Sequence, residues 1–472
     1  MRVALINPNR MKPAIAPIAL EYLAQALGRA GQEPHVVDLC FADDPLPELR
    51  TRLAELDPGL VAMTIRNSDD CYMATQSSFV PQFAEWVKAI HENCDAPVVL
   101  GGSGFSATWK GMLARTGADM GVVGDGEAAL VAVADALEAG DADPRTVAGV
   151  VSSAGRMPPS WRSLEASEPL AWQHVDIERY FHEGGQAGLE TKRGCPMPCT
   201  YCADPLSKGT FVRPRPIPAL VAEVSGLVTR GVDHFHLCDA EINLPIGHLT
   251  ALCEALADAG LGERMRWYGY ATPHGVDDGL TSLMRRSGCA GINFGVDHGD
   301  DGMLRDLGRG YTAADIERAV LACRRAGIAV MCDLLLGSPG ETMGTIATTL
   351  ELMKRLDPLC VGVSLGVRLY AGTAIAETVR AQGPLAGNPN VRGQADDNDD
   401  LAMPVYYAEH TLGPDAEGRI AEMIGDDARF FFGGHVEEEA DYNYNDNQLL
   451  VAAIAAGARG AYWHILSQLR RR

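Results

Sequence analysis

The chain has 472 residues, of which 47% are hydrophobic and 22% are charged. This composition is that of a globular protein rather than of a disordered or fibrous one, and the length predicts two large domains with a smaller unit. The formal net charge of −22 argues against nucleic acid as a partner, and no apolar run is long enough to predict a membrane span.

The first 150 residues alternate strand-like runs with helical periods. They begin with "MRVALINPNR", which has no apolar core of a signal peptide, so we expect a cytoplasmic protein. Four further runs follow, "PHVVDL", "LVAMTI", "APVVLGG" and "MGVVGDGE". This alternation predicts an α/β domain over residues 1–150, Rossmann-like and doubly wound around a parallel sheet. Residues 151–186, with "RMPPSWRSLEASEPL", are predicted to be a linker.

Small or polar residues follow three of these predicted strands. In a doubly wound sheet the carboxyl ends of the strands form the ligand crevice, so a large ligand is expected to lie close to the backbone there. Ordinary turn formation is the alternative for each glycine taken singly. The residues concerned are Arg66, Asn67 and Ser68, then Gly101, Gly102 and Ser103, then Gly124 and Gly126.

A second alternation of strands and helices occupies residues 187–385. It contains six β/α units, fewer than the eight that close a full barrel, and therefore predicts a partial (β/α)6 barrel. Residues 386–472 are predicted to form a small C-terminal segment, which starts with the polar loop "AGNPNVRGQADDNDD".

Three cysteines, Cys195, Cys199 and Cys202, stand close together directly after the first predicted barrel strand. Thiolates bind zinc or iron–sulfur clusters, and structural zinc commonly takes two Cys-x2-Cys pairs, whereas no second pair lies near this one. Three thiolates would leave one iron of a [4Fe–4S] cluster open to a substrate or cofactor. The spacing therefore favours a cluster site, with structural zinc or buried thiols as alternatives.

The Cys-x3-Cys-x2-Cys spacing, with Tyr201 before the last cysteine, resembles the signature of the radical S-adenosylmethionine superfamily. The upstream segments "VALINPN", "PIALEYLAQAL" and "VLGGSGFS" are similar to its cobalamin-binding subgroup. The resemblance implies three cofactors: a [4Fe–4S] cluster on the three cysteines, S-adenosylmethionine and cobalamin.

The resemblance also implies which residues contact S-adenosylmethionine. Each has an ordinary alternative, since Glu241 can flank a helix cap, Gly337 can form a turn and Arg368 can make a surface ion pair. In chain order the implied contacts are Tyr201 beside the cluster, Glu241 and Asn243 at the amino group, Asn293 and Asp297 at the ribose, Gly337 at the adenine and Arg368 at the carboxylate.

For cobalamin, the implied contacts are the crevice residues named above together with Phe105 and Glu127. Residues 1–150 contain two histidines, His35 and His91, and neither lies in the Asp-x-His-x-x-Gly context that supplies a lower cobalt ligand in many cobalamin proteins. Arg66 is the candidate for the lower face, because a guanidinium has no lone pair to donate and would block a ligand. A strand-end cap or a contact with the corrin tail is the alternative for Arg66.

The resemblance implies a C-methyltransferase that passes a methyl group from S-adenosylmethionine, via methylcobalamin, to a small-molecule substrate of natural-product or amino-acid type. Cyclisation or rearrangement without methyl transfer, polar methylation without a radical, and a non-enzymatic structural metal site are the alternatives. A flavodoxin or ferredoxin is the expected electron donor. Candidate acid–base groups are Asp204, Lys208 and Tyr442, and Arg66 is a further catalytic candidate through its place at the lower face. The aromatic-rich C-terminus, including Trp463, could close the substrate pocket or pack as core.

Overall fold

The structure is a computed structural model that describes residues 1–140, 142–432 and 444–470. Its first domain is built on a seven-stranded sheet. The strands are β1 (Arg2–Asn7), β2 (Glu33–Asp38), β3 (Leu60–Thr64), β4 (Val98–Gly101), β5 (Met120–Val122), β6 (Val150–Ser152) and β7 (Gly155–Arg156). They lie in the order β2-β1-β3-β4-β5-β6-β7. Strands β1 to β5 are parallel, and β6 pairs antiparallel with both β5 and β7. The sheet thus extends past residue 150 into the predicted linker.

Helices cover both faces of this sheet. Successive residues of β1 point to opposite sides: Val3 and Leu5 enter one hydrophobic core, and Ala4 and Ile6 enter the other. Because both faces of each central strand are buried, these strands are apolar throughout, as parallel strands between helical layers are. The helices are α1 (Ile18–Arg29), α2 (Pro45–Leu56), α3 (Val80–His91), α4 (Ser103–Thr116) and α5 (Glu127–Ala139).

The predicted linker is ordered along the first domain. The carboxylate of Glu21, which is fully buried on α1, accepts hydrogen bonds from the backbone N–H groups of Gln173, His174 and Val175 at 3.0, 3.0 and 3.2 Å. Helix α6 (Ile177–Gly184) follows directly and leads into the barrel. A buried carboxylate with three donors fixes this connection firmly.

The second domain is the predicted partial barrel. Its strands and the ribbon beside the cysteines are β8 (Ala187–Leu189), β9 (Lys192–Arg193), β10 (Arg213–Pro214), β11 (His234–Leu237), β12 (Arg266–Ala271), β13 (Cys289–Asp297), β14 (Ala329–Leu336) and β15 (Cys360–Leu365). Its helices are α7 (Asp204–Lys208), α8 (Ile217–Thr229), α9 (Ile246–Asp258), α10 (Leu261–Arg264), α11 (Asp278–Arg286), α12 (Asp301–Asp306), α13 (Ala313–Arg325), α14 (Met343–Leu356) and α15 (Ala374–Ala381). The α/β fold class, with a Rossmann-like domain followed by a partial barrel, is confirmed.

The C-terminal segment adds a seventh strand to the barrel sheet. Strand β16 (Val367–Arg368) precedes this segment, at the end of the barrel residues. The segment itself supplies the strands β17 (Val391–Gly393), β18 (Val405–Tyr407) and β19 (Phe430–Phe432) and the helices α16 (Ala416–Ile424), α17 (Gln448–Ala455) and α18 (Tyr462–Arg470). Strand β19 pairs in parallel with β15, so the sheet order is β19-β15-β14-β13-β12-β11-β8. The short strands β16, β18 and β17 form a separate antiparallel sheet.

One hydrophobic cluster continues from the first domain into the barrel, with Leu20 and Leu130 on one side and Leu189 and Phe235 on the other. Among the described residues, no helix combines the length and the apolar character that a membrane crossing requires. Tyr442 lies outside the described residues.

Candidate functional site

The three cysteines lie on a loop between β9 and β10, which pair with each other as an antiparallel ribbon. The Cys195 N–H donates to the Gly209 carbonyl at 3.1 Å, and the Thr200 N–H donates to the Leu307 carbonyl at 3.0 Å. The ribbon needs glycine at Gly194, since its φ is +88° and a Cβ there would lie 2.0 Å from the Phe211 carbonyl oxygen. The loop is therefore held at both ends and against the segment after β13.

Burial raises the pKa of all three cysteine thiols, and that of Cys202 to about 12. A bound metal would hold them as thiolates, because coordination deprotonates a thiol outright. In the described part of the chain, no three His, Cys, Asp or Glu side chains form a group that could hold a metal ion. The thiolates of a cubane cluster bind separate irons, so the case for a cluster here comes from the residue types and their spacing.

Arg309 is the centre of a buried polar cluster beside this loop. Its guanidinium donates to the Cys199 Sγ at 3.0 Å, to the Gly295 carbonyl at 2.6 Å and to the Tyr311 hydroxyl at 2.8 Å. Carboxylate oxygens of Asp297 and Glu241 lie 3.2 and 3.5 Å away. The sequence analysis missed Arg309, whose only local signal is its place between two glycines in "LGRGYT".

Asp297 and Tyr201 are brought together in this cluster. The Tyr201 hydroxyl donates to the Asp297 carboxylate at 2.5 Å, and the backbone of Asp297 has a φ of +59°. Burial raises the pKa of the Asp297 carboxyl, and the charge of Arg309 opposes this shift. The predicted contacts Tyr201, Asp297 and Glu241 therefore share one buried site with Cys199.

Glu241 has one carboxylate oxygen that fits a cationic ligand. Its Oε2 is buried and has no hydrogen-bond partner among the residues that the structure describes, and burial raises the pKa of the carboxyl to about 7 although Arg309 opposes the shift. The Lys192 ammonium holds the Glu241 carbonyl at 2.8 Å and the Asp239 carboxylate at 2.9 Å. A buried carboxylate oxygen without a donor is costly, and an ammonium group of a ligand would satisfy it.

Asn293 and Ser338 supply two further buried polar atoms without partners in the described part of the chain. Asn293 donates from Nδ2 to the Asp333 carboxylate at 2.6 Å, which leaves its Oδ1 as an unpartnered acceptor. The Ser338 Oγ next to Gly337 is likewise unpartnered. Hydroxyl and amine groups, such as those of an adenosine moiety, would satisfy both positions.

Two predicted contacts are placed elsewhere by the structure. The Asn243 side chain bonds the Thr272 carbonyl and N–H and the His274 carbonyl at 2.9 to 3.1 Å, so it braces the turn after β11 and does not face a ligand. Arg368 lies on β16 beyond the sixth barrel strand, where it is buried and donates to Asp69 and to three backbone carbonyls. All five N–H groups of Arg368 and both N–H groups of the Asn243 amide are thus used within the described chain.

The glycine-lined crevice lies at the carboxyl ends of β3, β4 and β5. A cavity of about 220 Å³ there is lined by Gly101, Gly102, Ser103, Gly124, Gly126 and Glu127, among others. Gly102 has a φ of +100°, and a Cβ there would lie 2.5 Å from the Ile65 carbonyl oxygen. The close backbone approach and the apolar walls fit the nucleotide tail of a large cofactor.

Three predicted cobalamin contacts do not face this crevice with a free group. Phe105 is fully buried and packs on Gly121. Ser68 is buried and donates to Asp69 at 3.1 Å. Glu127 lines the cavity, but its carboxylate is ion-paired with Arg193 at 2.8 Å.

Arg66 carries an unpaired charge into the space between the two domains. Its side chain is exposed and has no hydrogen-bond or ion-pair partner among the residues that the structure describes, while its carbonyl accepts from the Ser103 hydroxyl at 3.0 Å. The pKa of His236 on β11 is lowered to about 4, mainly by burial and to a smaller extent by the charge of Arg66. The same charge acts on Tyr270 of β12.

Tyr270 on β12 presents an exposed ring beside His236. Its side chain is 39% exposed although burial raises the pKa of its hydroxyl to about 12, and its ring meets that of His236 edge-on at 5.3 Å. The remaining candidates are more ordinary. Asp204 pairs with Lys208 at 3.0 Å, and Trp463 is buried in the core against Tyr268.

Two family models match the chain: the radical SAM superfamily over residues 189–353 and the B12 binding domain over residues 10–134. The chain is 34% identical over 462 residues to tryptophan 2-C-methyltransferase of Streptomyces laurentii, a match that covers 84% of this chain and 77% of that protein.

Two solved structures of the radical S-adenosylmethionine methyltransferase TsrM from Kitasatospora setae are similar to the whole chain. One has tryptophan and a SAM analogue bound, with 30% identity, a TM-score of 0.91, and coverage of 100% of this chain and 98% of that one. The other has cobalamin and a [4Fe–4S] cluster bound, with 29% identity, a TM-score of 0.88, and coverage of 100% and 97%.

Proposed function

Because this chain belongs to the cobalamin-dependent radical S-adenosylmethionine methyltransferases, we propose that it methylates a carbon atom of tryptophan or of a close aromatic analogue. Membership of this family sets aside the cyclase and the structural-metal alternatives. The tryptophan proposal follows the relatives, which are named for that substrate or hold it.

One observation carries the proposal: the cofactor crevice is lined from both domains, by Gly102 and Ser103 of the first and by Glu190 and Lys208 of the barrel. Arg66 lies beside this crevice, since its carbonyl accepts from the Ser103 hydroxyl. This residue leaves the first domain at the end of β3, yet its charge acts on His236 and Tyr270 of the barrel. A methyl carrier bound at the crevice and a substrate bound in the barrel would therefore share one enclosed space. Enclosure of this kind brings reacting groups together and excludes water.

The buried polar atoms without partners indicate which residues would contact each cofactor. We assign the cluster to Cys195, Cys199 and Cys202, with the guanidinium of Arg309 donating to the Cys199 sulfur. Glu241 would take the ammonium of S-adenosylmethionine through Oε2, and Asn293 and Ser338 would accept or donate to its adenosine moiety. We assign its carboxylate to Arg309, where it would replace the long 3.5 Å contact between Nη2 and the Glu241 Oε1.

For cobalamin, we assign the tail to the cavity at Gly102, Ser103, Gly124 and Gly126, and the face towards the first domain to Arg66. Bound cobalamin would carry the methyl group that S-adenosylmethionine supplies. Arg66 would keep lone-pair donors from the cobalt, because its guanidinium has none and has no partner among the described residues that would draw it away. We include a flavodoxin or ferredoxin as electron donor in the proposal.

The aromatic ring of Tyr270 supports an aromatic substrate. The residue is 39% exposed and so is open to a ligand, and aromatic rings pack against one another in offset or edge-on geometry. His236 beside it is neutral around pH 7, because burial and Arg66 both disfavour its charged form. The surface formed by Tyr270 and His236 is thus suited to an uncharged ring such as indole.

Isotopic labelling tests the proposal. The protein, reconstituted anaerobically with iron, sulfide and cobalamin, is incubated with tryptophan and methyl-labelled S-adenosylmethionine, and the products are analysed by mass spectrometry. We expect one labelled methyl group on a ring carbon. Absence of methylated product from tryptophan and its ring-substituted analogues would overturn the proposal. Counting 5′-deoxyadenosine against product separates radical from polar transfer.

A further inference from the structure

The loop of residues 66–79 crosses from the first domain to the barrel, and we propose that a buried ion pair between Asp69 and Arg368 is the positioning device that holds Arg66 in the space between the two domains. The inference rests on the proposed place of Arg66 beside cobalamin. Arg368, which the family resemblance implies as a contact of S-adenosylmethionine, is thereby assigned to the positioning of Arg66.

The ion pair is fully enclosed. The Nε and Nη2 atoms of Arg368 donate to the same Asp69 oxygen, Oδ2, at 3.0 and 2.9 Å. The side chains of Arg368 and Asp69 are 6% and 0% exposed. The other N–H groups of Arg368 meet the carbonyls of Leu369, Val405 and Leu401. Arg368 thereby connects the small C-terminal sheet with the loop.

Asp69 organises the loop on its other side. Its Oδ1 accepts the N–H of Cys71 at 3.0 Å, and its Oδ2 accepts the hydroxyl of Ser68 at 3.1 Å. Asp69 forms a backbone bridge with Ser78, and the N–H of Phe79 donates to the Ser68 carbonyl at 2.9 Å, so the base of the loop is closed. The Asp69 carboxylate thus connects the base of the loop to Arg368 on the barrel side.

A second contact on the barrel side shows how close this approach is. Met73, near the tip of the loop, lies so near to Gly366 that a Cβ on that glycine would be 2.5 Å from the Met73 sulfur. The Cys71 thiol lies 3.4 Å from the Tyr370 hydroxyl. The loop is therefore seated on residues 366–370, directly after the sixth barrel strand.

Arg66 itself is anchored by its backbone alone. Its carbonyl accepts from Ser103, while its guanidinium has no partner among the described residues. The direction of the side chain therefore depends on the backbone on both sides, which Ser103 holds before the loop and Asp69 holds three residues later. Loss of the Asp69 contact would free one side, and a displacement of about 1 Å can lower a rate on the order of a hundredfold.

The test compares four variants of the full-length protein loaded with cobalamin: Asp69→Asn, Arg368→Lys, Arg66→Ala and, as the matched control, Asp400→Asn. Asp400 pairs with Arg115 at 2.7 Å and also joins the first domain to the C-terminal segment, but away from Arg66. The readouts are the electron paramagnetic resonance and visible spectra of bound cobalt(II) cobalamin, which report axial ligands, and the thermal unfolding midpoint.

We expect Arg66→Ala to give the spectrum of cobalt with an added water ligand, Asp69→Asn and Arg368→Lys to reproduce that spectrum, and Asp400→Asn to resemble the wild type. Wild-type spectra for both ion-pair variants alongside an altered Arg66→Ala spectrum would overturn the positioning role and leave the place of Arg66 intact. A wild-type spectrum for Arg66→Ala would overturn the proposed place of Arg66, and the positioning role with it. If Asp69→Asn does not fold, Arg368→Lys, which keeps the charge, decides.

Discussion

At the scale of the residue, Arg309 bears on both the cluster and its neighbouring carboxylates. It is buried, it donates to the Cys199 sulfur, and it offsets the negative charges of Asp297 and Glu241. A guanidinium suits this place because it presents several donors in a fixed plane, whereas a lysine ammonium offers one point charge.

Replacement of Arg309 by lysine tests this role. Charge-assisted hydrogen bonds contribute about 1.5 to 3 kcal/mol each, so we expect Arg309→Lys to weaken binding of S-adenosylmethionine by roughly one to two orders of magnitude. Isothermal titration of the cluster-loaded protein measures this. Arg305→Lys, an exposed arginine on α12, is the control and should bind as the wild type does. Equal affinities for Arg309→Lys and the control would contradict the assignment.

Tyr270 separates the contribution of its ring from that of its hydroxyl. If the ring packs on the substrate, Tyr270→Phe should keep the KM for tryptophan near the wild-type value. Tyr270→Ala should raise it roughly tenfold or more, because an aromatic pair contributes about 0.5 to 1.5 kcal/mol beyond the area it buries. Steady-state kinetics at saturating S-adenosylmethionine supply the two values. A larger defect in Tyr270→Phe would instead point to a role for the hydroxyl.

At the scale of the element, the ribbon of β9 and β10 presents the cysteines. The ribbon can close only because Gly194 allows the Phe211 carbonyl to approach it. The loop then packs on the segment after β13, where the Thr200 N–H bonds the Leu307 carbonyl. The geometry of the three cysteines is thus set by backbone contacts that lie outside the motif itself.

Gly194→Ala should therefore disrupt cluster assembly. The added Cβ would overlap the Phe211 carbonyl and the positive φ would be strained, so the ribbon must shift. We expect iron and sulfide content, and the visible absorption of the cluster, to fall to a small fraction of the wild-type values. Gly226→Ala on α8 is the control, because nothing lies within 4 Å of its Cβ. Full cluster content in Gly194→Ala would show that the ribbon can relax.

At the scale of the whole molecule, buried charges join the two domains. Arg193 on β9 bonds Glu127 at the start of α5, and Arg213 on β10 bonds Asp125 in the preceding turn. The ribbon that presents the cysteines is thereby attached to the rim of the cofactor crevice. The hydrophobic cluster that both domains share lies beneath these pairs.

The Glu127 pair predicts a pH dependence of stability. Burial alone would raise the pKa of Glu127, but the charges of Arg193 and Arg162 outweigh it and lower the pKa below its usual value of 4.5. A depressed folded-state pKa means that the pair stabilises the protein above pH 4.5 and that this contribution is lost as the pH falls through the lower, folded value.

Glu127→Gln should remove that contribution. Breaking a buried pair costs about 3 to 5 kcal/mol, so the unfolding free energy at pH 7 should fall by roughly that amount and lose part of its acid dependence. Chemical denaturation at several pH values measures both. The exposed Glu33→Gln on β2 is the control, with little change expected. An unchanged unfolding free energy for Glu127→Gln would show that the pair does not join the domains.

Local patterns in the sequence were sufficient to predict the α/β architecture, the six barrel strands, the cysteine motif and the family. Each depends on spacing along the chain: alternating strands and helices, small residues at strand ends, and thiols three and four residues apart. The position of Glu241 in the turn after β11 could be predicted for the same reason, while its contact with S-adenosylmethionine stays a prediction.

The tertiary structure decided the contacts between distant residues. Arg309 joins the site from the turn after α12, Arg368 is drawn away to Asp69, and Asn243 is bonded by the turn after β12. The seventh strand, Phe430–Phe432, pairs far along the chain with β15. These partners are separated by tens to hundreds of residues, and a buried polar side chain binds whichever donors and acceptors folding brings to it, which no local pattern records.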